Sequence, residues 1–420
     1  MNGCDVIVVG GGPSGMMAAI RAGELGARVL LLEKNPQLGR KLLLTGKGRC
    51  NLTNACSLTD FIRRFSKNGN FLRDAFKFFF NDDLMEFFEG SGLALKVERQ
   101  QRVFPETDRA SSVLSVLKGA LARHNVQVVY DCPVADIEVD DHQVFGVKTA
   151  DGRLFKTSRA ILATGGVTYK ETGSTGDGLE IAKRLGHHIV ALRPGLVALE
   201  TKQHFPKILE GLTLKNIALE ISNGSSKLQT EVGELLFTYK GISGPLVITA
   251  SGQVADWLRE GKAVTVAVDL KPGMNETELD KRLLKEFRLS PRRGVKTVFK
   301  SLLPQRMVDV FLNLAGIDFE TKANQITQAQ RQKCVGLLKK FPLEITRTGP
   351  FNTAMVTQGG VSLKEIDPKT MASLLIKGLY FAGEILDIDG DTGGFNLQAA
   401  FSSGYLAGQS AAQEALDKKA

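Results

Sequence analysis

The chain reads as an α/β protein whose parallel sheet is assembled from both ends of the sequence around an insert. Three observations predict it. A short apolar run, Val6–Val9, is followed by Gly10-x-Gly12-x-x-Gly15 and an alanine-rich helical stretch. A second expected strand, Arg28–Leu32, leads into an acid, Glu33, 18 residues past Gly15. The same texture returns after Gly349-Pro350, where the strand Gly378–Ala382 runs into Gly383-Glu384. The first two observations define a βαβ unit with the pattern of a dinucleotide site. Gly10 permits the tight turn, Gly12 lets a pyrophosphate approach the backbone, and Gly15 lets helix pack on strand. Pro13 and Ser14 lie in the same turn, and Ser14 adds a hydroxyl donor. The helix N-terminus supplies N–H groups for an anion, and Glu33 is placed for a ribose hydroxyl.

The bulk numbers are those of an ordinary globular protein with room for two or three domains: 420 residues, 43% hydrophobic, 24% charged. No apolar run reaches the length of a membrane span, and the N-terminal run leads into glycines rather than a cleavage site. Cys4, Cys50, Cys56, Cys132 and Cys334 form no CxxC pair, so a reducing cytoplasm is expected and a redox disulfide is not. His124, His142, His187, His188 and His204 have no metal-ligand spacing, and no metal is expected. The net charge of +9 is concentrated. Between Lys281 and Arg306 stand nine basic residues and one acid, Glu286. A solvated helix face is the simpler reading of that segment, and nucleic acid is the alternative occupant.

Taken in order, the βαβ unit ends its helix at Gly26 and gives way to a glycine-punctuated basic segment, 39–54. Residues 58–90 read as helical, and their phenylalanines as core packing. A helix over 111–123 leads into a strand at 126–130, then a meander through 134–139, 144–149 and 159–163. Gly176-Asp177-Gly178 opens a helix that stops at Gly186. After Pro194 come short alternating runs with a hairpin loop at Asn223–Ser226, then a helical pattern from Asn275 to Lys340. The expected domains are therefore 1–190 with 351–420, a β-rich insert at 191–272, and a basic helical subdomain at 273–350.

Five stretches converge on one ligand. The first is the Gly10–Gly15 turn with Glu33 and Lys34. The second is the 39–54 segment, in which Arg40, Lys41, Lys47 and Arg49 can neutralise phosphates. There Thr45, Gly46, Gly48, Cys50, Asn51 and Leu52 bring backbone close to a planar ring. The third is Val134, whose main chain can pair with an adenine edge. The fourth is Ala163-Thr164-Gly165, a strand end with little side chain to obstruct a ligand. The fifth is the 381–401 stretch. Its Gly383 and Glu384 meet sugar or ribityl hydroxyls, Asp391 lies in the loop beyond, and Gly394, Phe395, Asn396, Leu397 and Gln398 start the last helix. That helix N-terminus suits the locus where a flavin gathers negative charge.

The motifs GGGPSG, GRKLLLTGKGRCNLTN, ATGG, GELLFTYKGISGP and YFAGEILDIDGDTGGFNLQAAFSSG together resemble the BaiN-like family of NAD(P)/FAD-dependent oxidoreductases. The resemblance covers essentially the whole chain. It implies a Rossmann-like FAD-binding domain of the glutathione-reductase type, with a β-barrel-like insert carrying a helical subdomain. It also implies tightly bound FAD and transient NAD(P)H. One branch of the family is similar to a reductase of conjugated enone bile acids. The chain departs from the family pattern at Thr238-Tyr239, where a Thr-His pair is expected, so a histidine role does not carry over.

The expected activity is therefore NAD(P)H-driven hydride transfer through flavin N5 to an activated double bond of a small organic substrate. Tyr239, Tyr169 and Arg49 are the candidates for proton delivery or carbonyl polarisation. Two rivals belong to other classes: an RNA-modifying flavoprotein using the 281–306 face, and a non-catalytic flavin electron-transfer or sensor protein. The expected function lies at the far end of the cofactor from the opening turn.

Overall fold

The computed structural model describes residues 3–417. The chain divides into two compact units, residues 1–195 with 351–420 and residues 196–350.

In the first unit, β1 (Val6–Val9), α1 (Pro13–Glu24) and β2 (Val29–Leu32) form the expected opening βαβ. Every residue of both strands is buried, as the uninterrupted Val/Ile/Leu runs require of a parallel sheet covered on both faces. Past α1, Gly26 adopts a left-handed φ of +90°, and the Ala27 N–H reaches back to the Ala22 carbonyl, which closes the helix. The 39–54 segment passes through a broken 3-10 turn (Leu42–Gly48) into β3 (Thr53–Asn54). The phenylalanine-rich stretch is helical in three short pieces, α2 (Leu58–Ile62), α3 (Arg73–Phe78) and α4 (Asn81–Gly90). Phe61 stands at its centre, with the rings of Phe76 and Phe80 at 5.3 and 5.1 Å. β4 (Leu95–Glu98) pairs with β5 (Arg102–Pro105), and β5 pairs with β3. α5 (Ala110–Arg123) and β6 (Gln127–Val129) follow, then the antiparallel meander β7 (Val134–Asp140), β8 (Gln143–Thr149) and β9 (Leu154–Lys156). β10 (Ala160–Leu162) lies parallel to β1, with Val8 opposite Ile161. α6 (Asp177–Arg184) and β11 (Ile189–Gly195) complete this part.

In the second unit, β12 (Leu199–Thr201), the single turn α7 (Phe205–Ile208), β13 (Thr213–Ser222), β14 (Lys227–Gln229), β15 (Gly233–Thr238) and β16 (Gly241–Ser243) precede α8 (Pro245–Arg259) and β17 (Val264–Asp269). Four helices follow, α9 (Glu276–Leu289), α10 (Val295–Phe299), α11 (Gln305–Ala315) and α12 (Gln328–Lys339), and then β18 (Phe341–Thr348). The antiparallel sheet runs β14-β13-β15-β16-β12-β18-β17, and β17 also pairs with β13, so the strands close into a barrel. Barrel and helices share one hydrophobic core, in which Leu283 and Phe287 of α9 join Val266 and Phe341.

The chain then returns to the first unit through β19 (Val356–Val361), β20 (Leu379–Phe381) and α13 (Phe395–Asp417). β19 pairs with β11, so residues 191–195 belong to the first unit and not to the insert. β20 lies beside β10 and completes the five-stranded parallel sheet β20-β10-β1-β2-β6. α13 packs along α1. Glycines at 404 and 408 face the backbone carbonyls of Ser14 and Ala18, where any Cβ would collide.

Candidate dinucleotide site

A cavity of about 220 Å³ in the first unit lies at the carboxyl ends of β1, β2 and β10, where the chain enters α1. Gly12 caps α1 with extended backbone, Pro13 starts it, and the first turn holds no side-chain cap and no acid. The N–H groups there are left for an anionic ligand. Gly10 adopts φ +104°, and a Cβ on it would stand 2.6 Å from the Ala163 carbonyl oxygen. A Cβ on Gly12, by contrast, would meet nothing within 4 Å, because that face opens to the cavity. Gly15 lies behind the wall, against the Gly10 carbonyl, and serves packing.

The buried Glu33 carboxylate is held rigidly. Its Oε2 accepts from the Gly11 N–H at 2.7 Å, and its Oε1 accepts from the Asn35 N–H and side-chain amide at 2.8 and 2.6 Å. Lys34 pairs with Asp177 at 2.7 Å. Arg40 donates to Asn35 Oδ1 at 2.8 Å and has no carboxylate partner among the described residues. Farther along the wall, Lys41 Nζ donates to Glu384 Oε2 at 2.7 Å and Thr168 Oγ1 at 2.8 Å, while Glu384 Oε1 accepts from the Thr357 N–H at 2.8 Å. Thr45, Val134, Ala163, Thr164, Gly165, Gly383, Asn396 and Leu397 also line the cavity, as does Ser14. The buried Thr164 hydroxyl has no hydrogen-bond partner. An uncapped helix start, an open glycine face, a fixed acid and an orphaned hydroxyl fit a dinucleotide such as FAD.

Other expected residues lie elsewhere. Left-handed conformations at Gly46, Lys47, Gly48 and Cys50 (φ +57°, +59°, +86° and +63°) reverse the chain after Thr45. Residues 46–52, including Asn51 and Leu52, thus turn away from the cavity and lead into β3. Arg49 bonds Glu98 and Asp108, the latter at 2.7 Å, and stacks 4.2 Å over Phe104, so its guanidinium is already committed. Burial pushes the Cys50 thiol up to about 12 and keeps it protonated, which removes a thiolate role. Gln398 turns into the core, where its amide donates to Ser402 Oγ at 3.0 Å. Phe395 packs 4.7 Å from Phe61, and Gly394 lies against the Thr53 backbone. Asp391, half-buried, lies in the loop before α13, its N–H donating to the Arg64 carbonyl at 2.8 Å. Tyr169, also off the cavity wall, adopts a left-handed φ of +56° with its ring 5.7 Å from Lys41 Nζ. Tyr239 belongs to the second unit, is 51% exposed, and has Lys207 Nζ 4.7 Å over its ring. His187 is structural. It is buried between Glu365 (3.1 Å from Nδ1) and Ser373 (3.0 Å from Nε2), and desolvation lowers its pKa.

Sequence reasoning missed the Lys41–Glu384 pair and the small-residue seam of α1 and α13. The four-residue spacing Gly404-x-x-x-Gly408, matched by Ser14-x-x-x-Ala18, was a signal for the seam.

Fold and cavity together define an FAD-binding Rossmann domain of the kind found in flavoprotein oxidoreductases. The HI0933-like protein Rossmann domain family model matches residues 4–410. A 3-dehydro-bile acid delta(4,6)-reductase of Clostridium scindens is 35% identical over 97% of this chain and 98% of its own. Ribosomal RNA dihydrouridine synthases of Haemophilus influenzae and Escherichia coli are 29% and 28% identical, over 95% and 97% of this chain and 96% and 98% of theirs. Among solved structures, an E. coli quinol fumarate reductase chain matches 99% of this chain and 71% of its own at TM-score 0.54 and 18% identity. A 3-ketosteroid delta1-dehydrogenase of Sterolibacterium denitrificans matches 99% and 100% at TM-score 0.52 and 13% identity. These likenesses establish the fold. The chain belongs to the HI0933-like family and is a BaiN-like, FAD-dependent oxidoreductase.

Proposed function

We propose that this protein reduces a carbon–carbon double bond conjugated to a carbonyl in a small organic substrate, with reduced NAD(P)H as a transient electron donor. The observation that carries this reading is the 35% identity to a bile-acid reductase over nearly the whole of both chains. Bound FAD supplies hydride transfer chemistry. The chain's own residues hold and orient it. The N–H groups of Gly12 and Ser14 at the start of α1 take the pyrophosphate, and Arg40 adds positive charge beside it. Glu33 fixes the ribose, the Val134 backbone meets the adenine, and the Lys41–Glu384 pair faces the ribityl chain. Tyr169 and Tyr239 remain the candidates to protonate the carbon next to the carbonyl, whereas Arg49 is spoken for by its two carboxylates.

A second reading has its own support. Two relatives aligned over nearly their full length are named as ribosomal RNA dihydrouridine synthases. The 5,6 double bond of uracil is conjugated to its 4-carbonyl, so one reductive chemistry would serve both substrates.

The test is anaerobic. Purified protein is expected to absorb near ~450 nm, as flavins do, and to be bleached by NADH or NADPH. Re-oxidation is then followed with a 4-en-3-one steroid and, separately, with ribosomal RNA lacking dihydrouridine. Re-oxidation by the steroid supports the first reading, and dihydrouridine formation supports the second. A protein that is bleached yet re-oxidised by neither would sink both.

A further inference from the structure

We infer that the basic face of α9 and α10 is a docking surface for the phosphate backbone of a structured RNA, an inference that rests on the second reading above. Lys281, Lys285 and Arg288 recur at helical spacing along α9, spanning about 10 Å at 1.5 Å per residue. Arg292 and Arg293 continue the array past the helix end, and Lys300 follows at the end of α10. All six are exposed, and none makes an ion pair with another described residue.

Three neighbouring acids are engaged elsewhere. Glu278 caps α9 through the Asn275 N–H at 2.9 Å. Asp280 is turned to α12, accepting from Arg331 Nε at 2.7 Å. Asp309 takes Lys296 at 2.7 Å. Glu286, half-buried, is the remaining acid between Lys281 and Arg306. A cluster of exposed charges of one sign, with neighbouring acids held by other partners, is suited to a polyanion that releases counterions on binding.

The apolar side of the helix argues for nucleic acid over a lipid surface. An interfacial helix needs its apolar face free for the acyl boundary. In α9 that face (Leu279, Leu283, Phe287) is buried in the core of the second unit, and Leu289, 69% exposed, is the large apolar side chain left in solvent beside the cations. Three of the six cations are arginines, whose planar guanidinium matches phosphate oxygens in pairs.

The experiment measures binding of FAD-loaded protein to deproteinised bacterial ribosomal RNA by fluorescence anisotropy between ~50 and ~200 mM salt. The wild type is compared with R288Q/R292Q/R293Q. The variant is expected to bind ~10-fold or more weakly at ~0.1 M salt, with a log–log salt slope shallower by about 2 to 3. Should that variant fail to fold, K281Q/K285Q/K300Q serves the same purpose. Equal affinity and slope in variant and wild type would overturn the surface and leave the RNA reading standing. No binding by the wild type at the lowest salt would overturn both. Equal or tighter binding to vesicles of anionic phospholipid, lost in the same variant, would assign the face to a membrane and overturn the proposal.

Discussion

Three cations beside the dinucleotide cavity and the exposed cations along α9 behave differently. Around the dinucleotide cavity, Lys34, Lys41 and the neighbouring Arg49 each hold a carboxylate of the same unit. On α9 and the turn beyond it, the exposed cations hold no carboxylate among the described residues. Paired cations fix loop geometry and present a settled wall to a cofactor. Unpaired ones leave their charge in solvent and contribute little to stability, because an exposed ion pair is worth only ~0–1 kcal/mol even when made. Particular glycines divide the same way: Gly10, Gly404 and Gly408 of the cavity unit stand against backbone, whereas Gly273, Gly294 and Gly336 in the helical part face open space.

The largest effect is expected at the α1–α13 seam. Gly404→Leu would drive a side chain into the Ser14 carbonyl, and the expected loss is ~3 kcal/mol or more, as in overpacked cores. Chemical denaturation followed by flavin absorbance and circular dichroism would record it, and a variant as stable as wild type would break the distinction between the two sets of glycines. Next comes Lys41→Met, which strips the cation from a partly buried Glu384 and should cost about 1–3 kcal/mol while weakening FAD retention. Its counterpart Lys285→Met should change stability by less than ~0.5 kcal/mol. If both proved equally mild, the paired charges around the cavity would not be structural.

A third effect depends on pH. Burial, opposed by Arg64 at 3.7 Å and reinforced by Asp389, pushes the Asp391 carboxyl up to about 6. Its folded value lies above the unfolded one of about 3.9. Its stabilising contribution is therefore complete below the unfolded value and is lost as pH rises through about 6. Asp391→Asn should accordingly match wild type near pH ~4 and exceed it above pH ~6, by about 1–2 kcal/mol. Melting curves across that range check the sign. The smallest effect is a gain. Gly336 lies within α12, where an added methyl group would meet nothing within 4 Å, so Gly336→Ala should stabilise by ~0.5–1 kcal/mol. Thermal melts of the two proteins side by side check it.

Much of this was legible in the residues alone. Val6–Val9, the glycine turn and Glu33 announced strand, phosphate loop and acid because each depends on local backbone geometry and a fixed spacing in one βαβ unit. Gly26 marked the end of α1 for the same reason. The barrel closure of the second unit, with β17 pairing to both β13 and β18, was not legible from alternation, which reports a strand but not its neighbour. Nor was the fate of 46–52. A run of left-handed residues there redirects the chain, and sequence does not state where such a run points.

The sequence by itself determined the dinucleotide class, because backbone N–H groups, glycines and one acid at set intervals are a local requirement of dinucleotide binding, and its longer motifs carried the family resemblance. It also determined that the positive charge is concentrated in one segment. Tertiary structure alone decided which cations are spent. Lys41 meets Glu384 from 343 positions away, and Arg49 meets Glu98 at the end of β4 and Asp108 just past β5, whereas the cations of α9 and the turn after it that face solvent meet no acid. Charge is written in the sequence, but pairing depends on distances set by packing.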